Sequence, residues 1–161
     1  MIVISNTSPI TNLAAVGQLA ILQQLYQTVF IPDAVYAELT TGKDSHSQEV
    51  EIRTRSWIEV KPVANQTFEA ALHMELDPGE AAALALAVEM KADLLLLDER
   101  RGRSIAARLG LRFVGLLGVL IEAKRQGYLA AVKPILEDLV TKAGFWVSQR
   151  LHARVLEAAG E

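Results

Sequence analysis

Four positions in the 161-residue sequence carry oxygen-bearing side chains where an α/β protein commonly builds a site. Asn6 and Asp98 each follow an apolar run typical of a buried strand, Glu80 stands in the first turn of a helix pattern, and Glu38 stands on another helix pattern. One neutral and three anionic oxygen donors suit a hard cation such as Mg²⁺ or Mn²⁺. Such a cation most naturally serves a ligand that contains phosphate.

Each of the three carboxylates also has a purely structural interpretation. Asp98 could cap the helix that follows it, with a nearby arginine as its partner. Glu80 lies three residues after Asp77, where the carboxylate of a capping box lies. Glu38 could lie on a solvated helix face. What favours a site is the expected convergence of all four positions at one edge of a sheet.

The elements that must position these residues follow from the apolar pattern. Short β-branched or apolar runs predict strands over 2–4, 28–31, 57–61, 93–98 and 111–114. Helical spacing and start signals predict helices over 10–25, 32–42, 50–55, 77–90 and 99–109, and two or three more from 115 to the end. Strands that alternate with helices predict a three-layer α/β/α fold with a central parallel sheet. We expect one domain over 1–161, with C-terminal helices from about 116. Ligands of such sheets bind beyond the carboxyl ends of the strands.

Composition excludes several classes of protein and site. The absence of cysteine excludes a disulfide scaffold, a thiolate zinc site, an iron–sulfur cluster and a cysteine nucleophile. No apolar run approaches the roughly 20 residues of a membrane span, and no basic residue precedes the first apolar run, so we expect a cytoplasmic protein with no membrane partner. No glycine-rich phosphate loop occurs, and no histidine near Ser8 supports a hydrolase triad.

Charge is distributed unevenly along the chain. Residues 1–80 contain 4 basic and 10 acidic side chains, whereas residues 81–161 contain 12 basic and 9 acidic ones. Arg100, Arg101 and Arg103 follow Asp98 directly, and we expect these arginines to bind the phosphate backbone of a nucleic acid beside the acidic site. The alternative is a solvated helix face with intrahelical ion pairs.

Four short blocks occur in a recognisable order. They are ISNTSP at 4–9, FIP at 30–32 with Val35, Glu38 and Leu39, DPGEA at 77–81, and LDER at 97–100 with Arg103. Together they resemble the successive blocks of PIN-domain proteins, and most closely the VapC-like toxin ribonucleases of bacterial and archaeal toxin–antitoxin pairs. The resemblance covers about residues 1 to 130.

The resemblance implies a parallel α/β/α domain whose acidic, Mg²⁺- or Mn²⁺-binding site cleaves RNA. Glu38, Glu80 and Asp98 match the acidic residues of the family, and Thr7 or Ser8 matches the hydroxyl position that follows its first aspartate. The implied partners are RNA, an antitoxin protein that inserts into the acidic cleft, and a second copy of the chain in a homodimer.

Position 6 departs from the family, because the first aspartate is replaced by Asn6. A neutral amide offers one oxygen and no charge, so we expect weaker cation binding and impaired catalysis. The alternative function is a catalytically inactive PIN-fold protein that binds RNA or a partner. A phosphotransfer protein also places aspartates at strand ends, but it explains Glu38 and Glu80 poorly.

Apolar residues in the last part of the chain have two interpretations. We expect them to be ordinary core, and the alternative is a surface for a second copy or an antitoxin segment. They are Phe145, Trp146, Leu151, Val155 and Leu156.

Overall fold

A five-stranded parallel sheet forms the centre of the protein. The computed structural model describes residues 1–41, 52 and 55–161. The strands are β1 (Val3–Ser5), β2 (Val29–Pro32), β3 (Ile58–Lys61), β4 (Leu94–Leu96) and β5 (Phe113–Val114). Their order in the sheet is β3-β2-β1-β4-β5, and every neighbouring pair is parallel. The predicted strands and the parallel sheet are therefore confirmed.

Nine helices connect and cover these strands in the part of the chain that the structure describes. They are α1 (Thr7–Ala15), α2 (Ala20–Tyr26), α3 (Asp33–Thr41), α4 (Gln66–His73), α5 (Pro78–Glu89), α6 (Arg100–Arg108), α7 (Leu116–Arg125), α8 (Lys133–Lys142) and α9 (Gln149–Ala158). None of the helices in the described ranges is long and apolar enough to cross a bilayer.

The two faces of the sheet bury separate apolar clusters. Because side chains alternate along a strand, Val3 and Leu96 lie in one cluster, and Ile4 and Leu95 lie in the other. The first cluster includes side chains of α1, α2, α7, α8 and α9, and the second includes those of α5 and α6. Helices on both faces of one sheet make the three-layer α/β/α fold that the sequence predicts.

The strand order reverses beside β1, and this reversal decides where a site can form. The chain passes from β1 to β2 and β3 on one side of the sheet, and β4 and β5 lie on the other side. Ser5 pairs with Leu96, and the Asn6 N–H then donates to the Leu96 carbonyl at 3.0 Å. The first residues beyond β1 and β4 therefore lie together at the crevice where such sheets bind ligands.

Two helical segments differ from the prediction. The single helix expected over 10–25 is two helices, because Gly17 adopts a left-handed φ of 69° that ends α1. Helix α4 was not predicted, although Asn65 signals its start by accepting a hydrogen bond from the Phe68 N–H at 3.1 Å. The helix expected over 50–55 lies outside the described residues, apart from positions 52 and 55.

The C-terminal helices begin at Leu116 and pack onto the sheet. Val155 of α9 is buried in the first cluster, together with residues of α8. Trp146, between α8 and α9, is 82% exposed, and Leu151 is 38% exposed. The expectation that these apolar residues form ordinary core is therefore wrong for Trp146 and Leu151, because the segment after Gly144 and the start of α9 leave these two side chains exposed.

Candidate active site

Asn6 occupies the N-cap position of α1, yet its side chain makes no capping hydrogen bond. Its Nδ2 donates to Glu99 Oε2 at 3.3 Å, and its Oδ1 is buried with no hydrogen-bond partner in the described structure. Because a carboxylate only accepts hydrogen bonds, the NH₂ group of Asn6, and not its carbonyl oxygen, faces Glu99. A buried carbonyl oxygen without a partner costs about 1–3 kcal/mol, so Asn6 Oδ1 is suited to a cation or a water molecule.

Asp98 lies just beyond β4 and has a second buried oxygen without a hydrogen-bond partner in the described part of the chain. Its Oδ1 accepts from the Leu116 N–H at 3.0 Å and lies 4.0 Å from Arg103 Nη2. Its Oδ2 is buried and lacks a partner among residues 1–41, 52 and 55–161. Burial raises the pKa of Asp98, although the Leu116 N–H and Arg103 oppose the shift. Asp98 thus contacts the start of α7 and does not cap the helix that follows it in sequence.

Glu38 connects three helices. Its Oε1 accepts from the Gly79 N–H at the start of α5 at 3.0 Å, and its Oε2 accepts from the Thr7 hydroxyl of α1. Glu38 is therefore held at the site and is not a side chain on a solvated helix face. Ser8, the other hydroxyl that matched the family position, has a buried Oγ for which the described residues supply no partner.

Glu80 is 6% exposed in the first turn of α5. Its N–H donates to Asp77 Oδ1 at 2.9 Å, so Asp77 caps the helix as the sequence predicts. Burial raises the pKa of Glu80 to about 7, and the negative charges of Asp77 and Glu99 add to the shift. The carboxyl group of Glu80 therefore keeps its proton to a higher pH than an exposed glutamate does.

These residues border two adjoining depressions. A cleft of about 290 Å³ is lined by four of the nine predicted site residues, Asn6, Thr7, Ser8 and Glu38, together with Thr11, Asn12, Asp77 and Glu99. Asp98 lines a neighbouring groove of about 650 Å³, and Glu99 lines both. Within the described ranges, no three His, Asp or Glu side chains are arranged to hold a metal ion. The described arrangement thus does not draw Glu38, Glu80 and Asp98 into one ligand cluster.

A family model described as a PIN domain matches residues 2–161, which is nearly the whole chain. The chain belongs to the PIN-domain family. Members of this family are generally nucleases, typically use divalent metals and generally bind RNA. No curated protein matches the chain significantly. The fold and the nuclease class of this PIN domain therefore agree with the prediction from the four sequence blocks.

The donor atoms of this PIN domain fit a hard cation. Mg²⁺ usually keeps several waters and takes only one or two protein carboxylates, so a cluster of three acids is not required. Asn6 Oδ1 and Asp98 Oδ2 are both buried oxygens without partners, and they follow adjacent strands. Asn6 and Asp98 are therefore the residues that could hold the metal, with Glu99 beside them.

Three residues of this site, Gly79, Glu99 and Gly115, were not among the predicted site residues. Glu99 directly follows Asp98, and that position was the signal that could have identified it. A Cβ on Gly79 would lie 2.6 Å from both Glu38 carboxylate oxygens. A Cβ on Gly115 would lie 2.0 Å from Arg103 Nη2 and 2.6 Å from Asp98 Oδ1. Only glycine lets the backbone approach these carboxylates so closely.

The three arginines expected to bind RNA occupy different positions in the PIN domain. The Arg103 Nε donates to the Leu97 carbonyl at 2.9 Å, and its guanidinium lies 5.5 Å from the centre of the Phe113 ring. Arg100 and Arg101 are exposed on α6, where Arg101 donates to the Glu75 carbonyl at 3.2 Å. Arg103 is therefore built into the site through Asp98, whereas Arg100 and Arg101 lie on the outer surface of α6.

Proposed function

We propose that this PIN domain is a metal-dependent endoribonuclease whose activity is impaired by Asn6. The observation that carries the proposal is the pair of buried oxygens without partners, Asn6 Oδ1 and Asp98 Oδ2, at the point where the strand order reverses. Two such oxygens, just beyond adjacent strands, are costly unless a ligand satisfies them. A hydrated Mg²⁺ or Mn²⁺ is the ligand that the donor atoms and the family favour.

Each residue has a distinct part in this proposal. Asp98 and Asn6 hold the cation, and Glu38 and Glu80 complete the acidic site from α3 and α5. When bound, the cation lowers the pKa of water and stabilises charge on the phosphate oxygens. Arg103 positions Asp98, and the Thr7 hydroxyl positions Glu38.

The neutral amide at position 6 weakens the site by a simple electrostatic effect. The affinity of a hard cation depends on the number of charged ligands, and Asn6 supplies a carbonyl oxygen where the family has a carboxylate. An amide also cannot act as a base. Cation binding and catalysis by the chain with Asn6 should therefore be weak.

The biological role that we propose is that of the toxin of a toxin–antitoxin pair in the cytoplasm, as in the VapC-like subgroup. It is supported by the order of the four sequence blocks over about residues 1 to 130. On this proposal, residues 1–161 form one domain that pairs as a homodimer and is neutralised by an antitoxin protein. Growth arrest of a bacterium that expresses the Asn6→Asp variant, relieved by a further Asp98→Ala change, is the expected result.

A cleavage assay tests the enzymatic proposal. The wild type, Asn6→Asp and Asn6→Asp/Asp98→Ala are incubated with a mixed RNA substrate in Mg²⁺ or Mn²⁺, with EDTA controls. We expect Asn6→Asp to cleave faster than the wild type, and both EDTA and Asp98→Ala to abolish the cleavage. An active double variant would assign the activity to another site or to a contaminant.

One contact favours a second candidate, a catalytically inactive PIN-fold protein that binds RNA or a partner. The Asn6 amide donates to Glu99, which an aspartate at position 6 could not do. The surroundings of position 6 thus suit a neutral residue. RNA binding by both the wild type and Asn6→Asp, with no cleavage by either in Mg²⁺ or Mn²⁺, would favour this candidate.

A further inference from the structure

A groove with aromatic walls adjoins the candidate active site. It lies between β5, α7 and the turn before α9, and its volume is about 650 Å³. Phe113, Phe145 and Trp146 line it, and they are three of the nine Phe, Trp and Tyr residues in the chain. Trp146 is 82% exposed, so its indole offers a planar face to a ligand.

The groove is continuous with the acidic site. Asp98 and Glu99 are among its lining residues, and Glu99 also lines the cleft that holds Asn6. Arg103 lies between the acidic end and the aromatic end, beside Asp98 and over the Phe113 ring, and its side chain is 37% exposed. A ligand in this groove therefore meets a guanidinium beside Asp98 and Phe113.

An unpaired nucleotide has the chemistry that suits a guanidinium beside aromatic side chains. Bases stack on aromatic side chains whatever their identity, and one such contact changes affinity about five- to 150-fold. Guanidinium groups bind phosphate through directed hydrogen bonds. A volume of about 650 Å³ is also within the range of pockets that hold small organic ligands.

We propose that this groove binds an unpaired nucleotide next to the scissile phosphate, with its base on Trp146 and its phosphate at Arg103. The inference rests on the proposed nuclease function for its choice of substrate. It adds a base-stacking contact on Trp146, outside the acidic residues, to the contacts that hold the RNA.

The test compares oligomers that differ only in their bases. Dye-labelled hexamers of adenosine and of abasic ribose carry the same number of phosphates, and their binding is followed by fluorescence anisotropy in Mg²⁺. Intactness of the oligomer is checked on a gel. The protein variants are Trp146→Ala, Trp146→Phe, and, as a matched control outside the groove, Tyr128→Ala, which removes another exposed aromatic side chain.

We expect the adenosine hexamer to bind about tenfold more tightly than the abasic one, and Trp146→Ala to remove most of that difference. Trp146→Phe should retain it, and Tyr128→Ala should not change it. Intrinsic emission offers a second readout, because Trp57 is buried at 7% exposure and quenching by a stacked base should come from Trp146.

Equal binding of the two hexamers, or unchanged binding by Trp146→Ala, would overturn the inference and leave the groove to a polypeptide partner. The cleavage assay distinguishes this failure from failure of the proposed function. Cleavage by Asn6→Asp without base-dependent binding overturns only the groove assignment. Base-dependent binding that Trp146→Ala removes, without any cleavage, supports the nucleotide site and overturns only the nuclease.

Discussion

The amide of Asn6 and the carboxylate of Glu99 form the contact in which this PIN domain differs most from the expected acidic site. The Nδ2 of Asn6 donates to Glu99 Oε2 at 3.3 Å, and this bond replaces what would be repulsion between two carboxylates. An aspartate at position 6 has no such donor, so it would need a cation to offset the repulsion. On the proposed function, stability and metal binding are therefore coupled at position 6.

Asn6→Asp should destabilise the protein in EDTA and regain stability in Mn²⁺. Loss of the hydrogen bond and the new repulsion should cost about 1–2 kcal/mol of unfolding free energy. Urea unfolding in EDTA and in Mn²⁺ measures both effects. The control is Asn6→Asp/Glu99→Gln, in which an amide at position 99 can again donate across the contact and most of the loss should disappear. Equal stability of wild type and Asn6→Asp in EDTA would contradict the contact.

The raised pKa of Glu80 predicts a pH dependence of stability. In the native state the pKa is about 7 and in the unfolded chain it is near 4.5, so between these values the native state holds a proton that the unfolded state has lost. The free energy of unfolding in EDTA should thus fall by about 2–3 kcal/mol as pH rises from 4.5 to 8. The raised pKa of Asp98 acts in the same direction.

Glu80→Gln removes the titrating group with little change of shape. Its unfolding free energy, measured by denaturant titration across the same pH range, should fall less steeply than that of the wild type. An identical slope for both proteins would show that Glu80 does not carry the shift.

Gly79→Ala should lower the free energy of unfolding, because the position of the Glu38 carboxylate requires that the backbone at residue 79 come close to it. A Cβ at 2.6 Å from both Glu38 oxygens forces that carboxylate away, which should cost about 1–3 kcal/mol. In a Glu38→Ala background the same change should cost nothing, because the clash is gone and alanine favours a helix. The double-mutant cycle, measured by urea unfolding, gives this coupling. If the changes in unfolding free energy of Gly79→Ala and Glu38→Ala simply add in the double variant, the contact between these two residues does not contribute to stability.

Helix α5 meets the site at its N-terminal end, where its first turn carries Gly79 and Glu80 and its N-cap is Asp77. The sequence signals this start clearly, with Asp77 before Pro78 and a buried alanine run behind them. Most other elements could also be predicted, since apolar periodicity locates them. The turn at Gly17 could not, because the apolar spacing continues across the break between α1 and α2.

Asp77→Ala should cost about 1 kcal/mol of unfolding free energy, because it removes the acceptor for the Glu80 N–H. Asp77→Asn is the matched control, since asparagine caps a helix about as well as aspartate and removes only the charge. Thermal unfolding should therefore show a lower Tm for Asp77→Ala than for Asp77→Asn. The same Tm for both variants would mean that the cap contributes nothing.

The whole molecule brings together residues that lie more than 90 positions apart in sequence. The parallel sheet places Asn6 beside the end of β4, and that juxtaposition could be predicted from the two strand patterns alone. The role of Glu99 between two depressions and the exposure of Trp146 could not be predicted, because both depend on how α6, α7 and the turn before α9 pack around the sheet. Side-chain polarity identified candidates, and tertiary packing decided which of their atoms lack partners.

Calorimetric titration with Mn²⁺ tests most directly whether Asn6 and Asp98 share one cation. We expect weak binding of one ion by the wild type, binding about tenfold or more tighter by Asn6→Asp, and no binding after Asp98→Ala in either background. The same Mn²⁺ affinity in all four proteins would contradict this expectation.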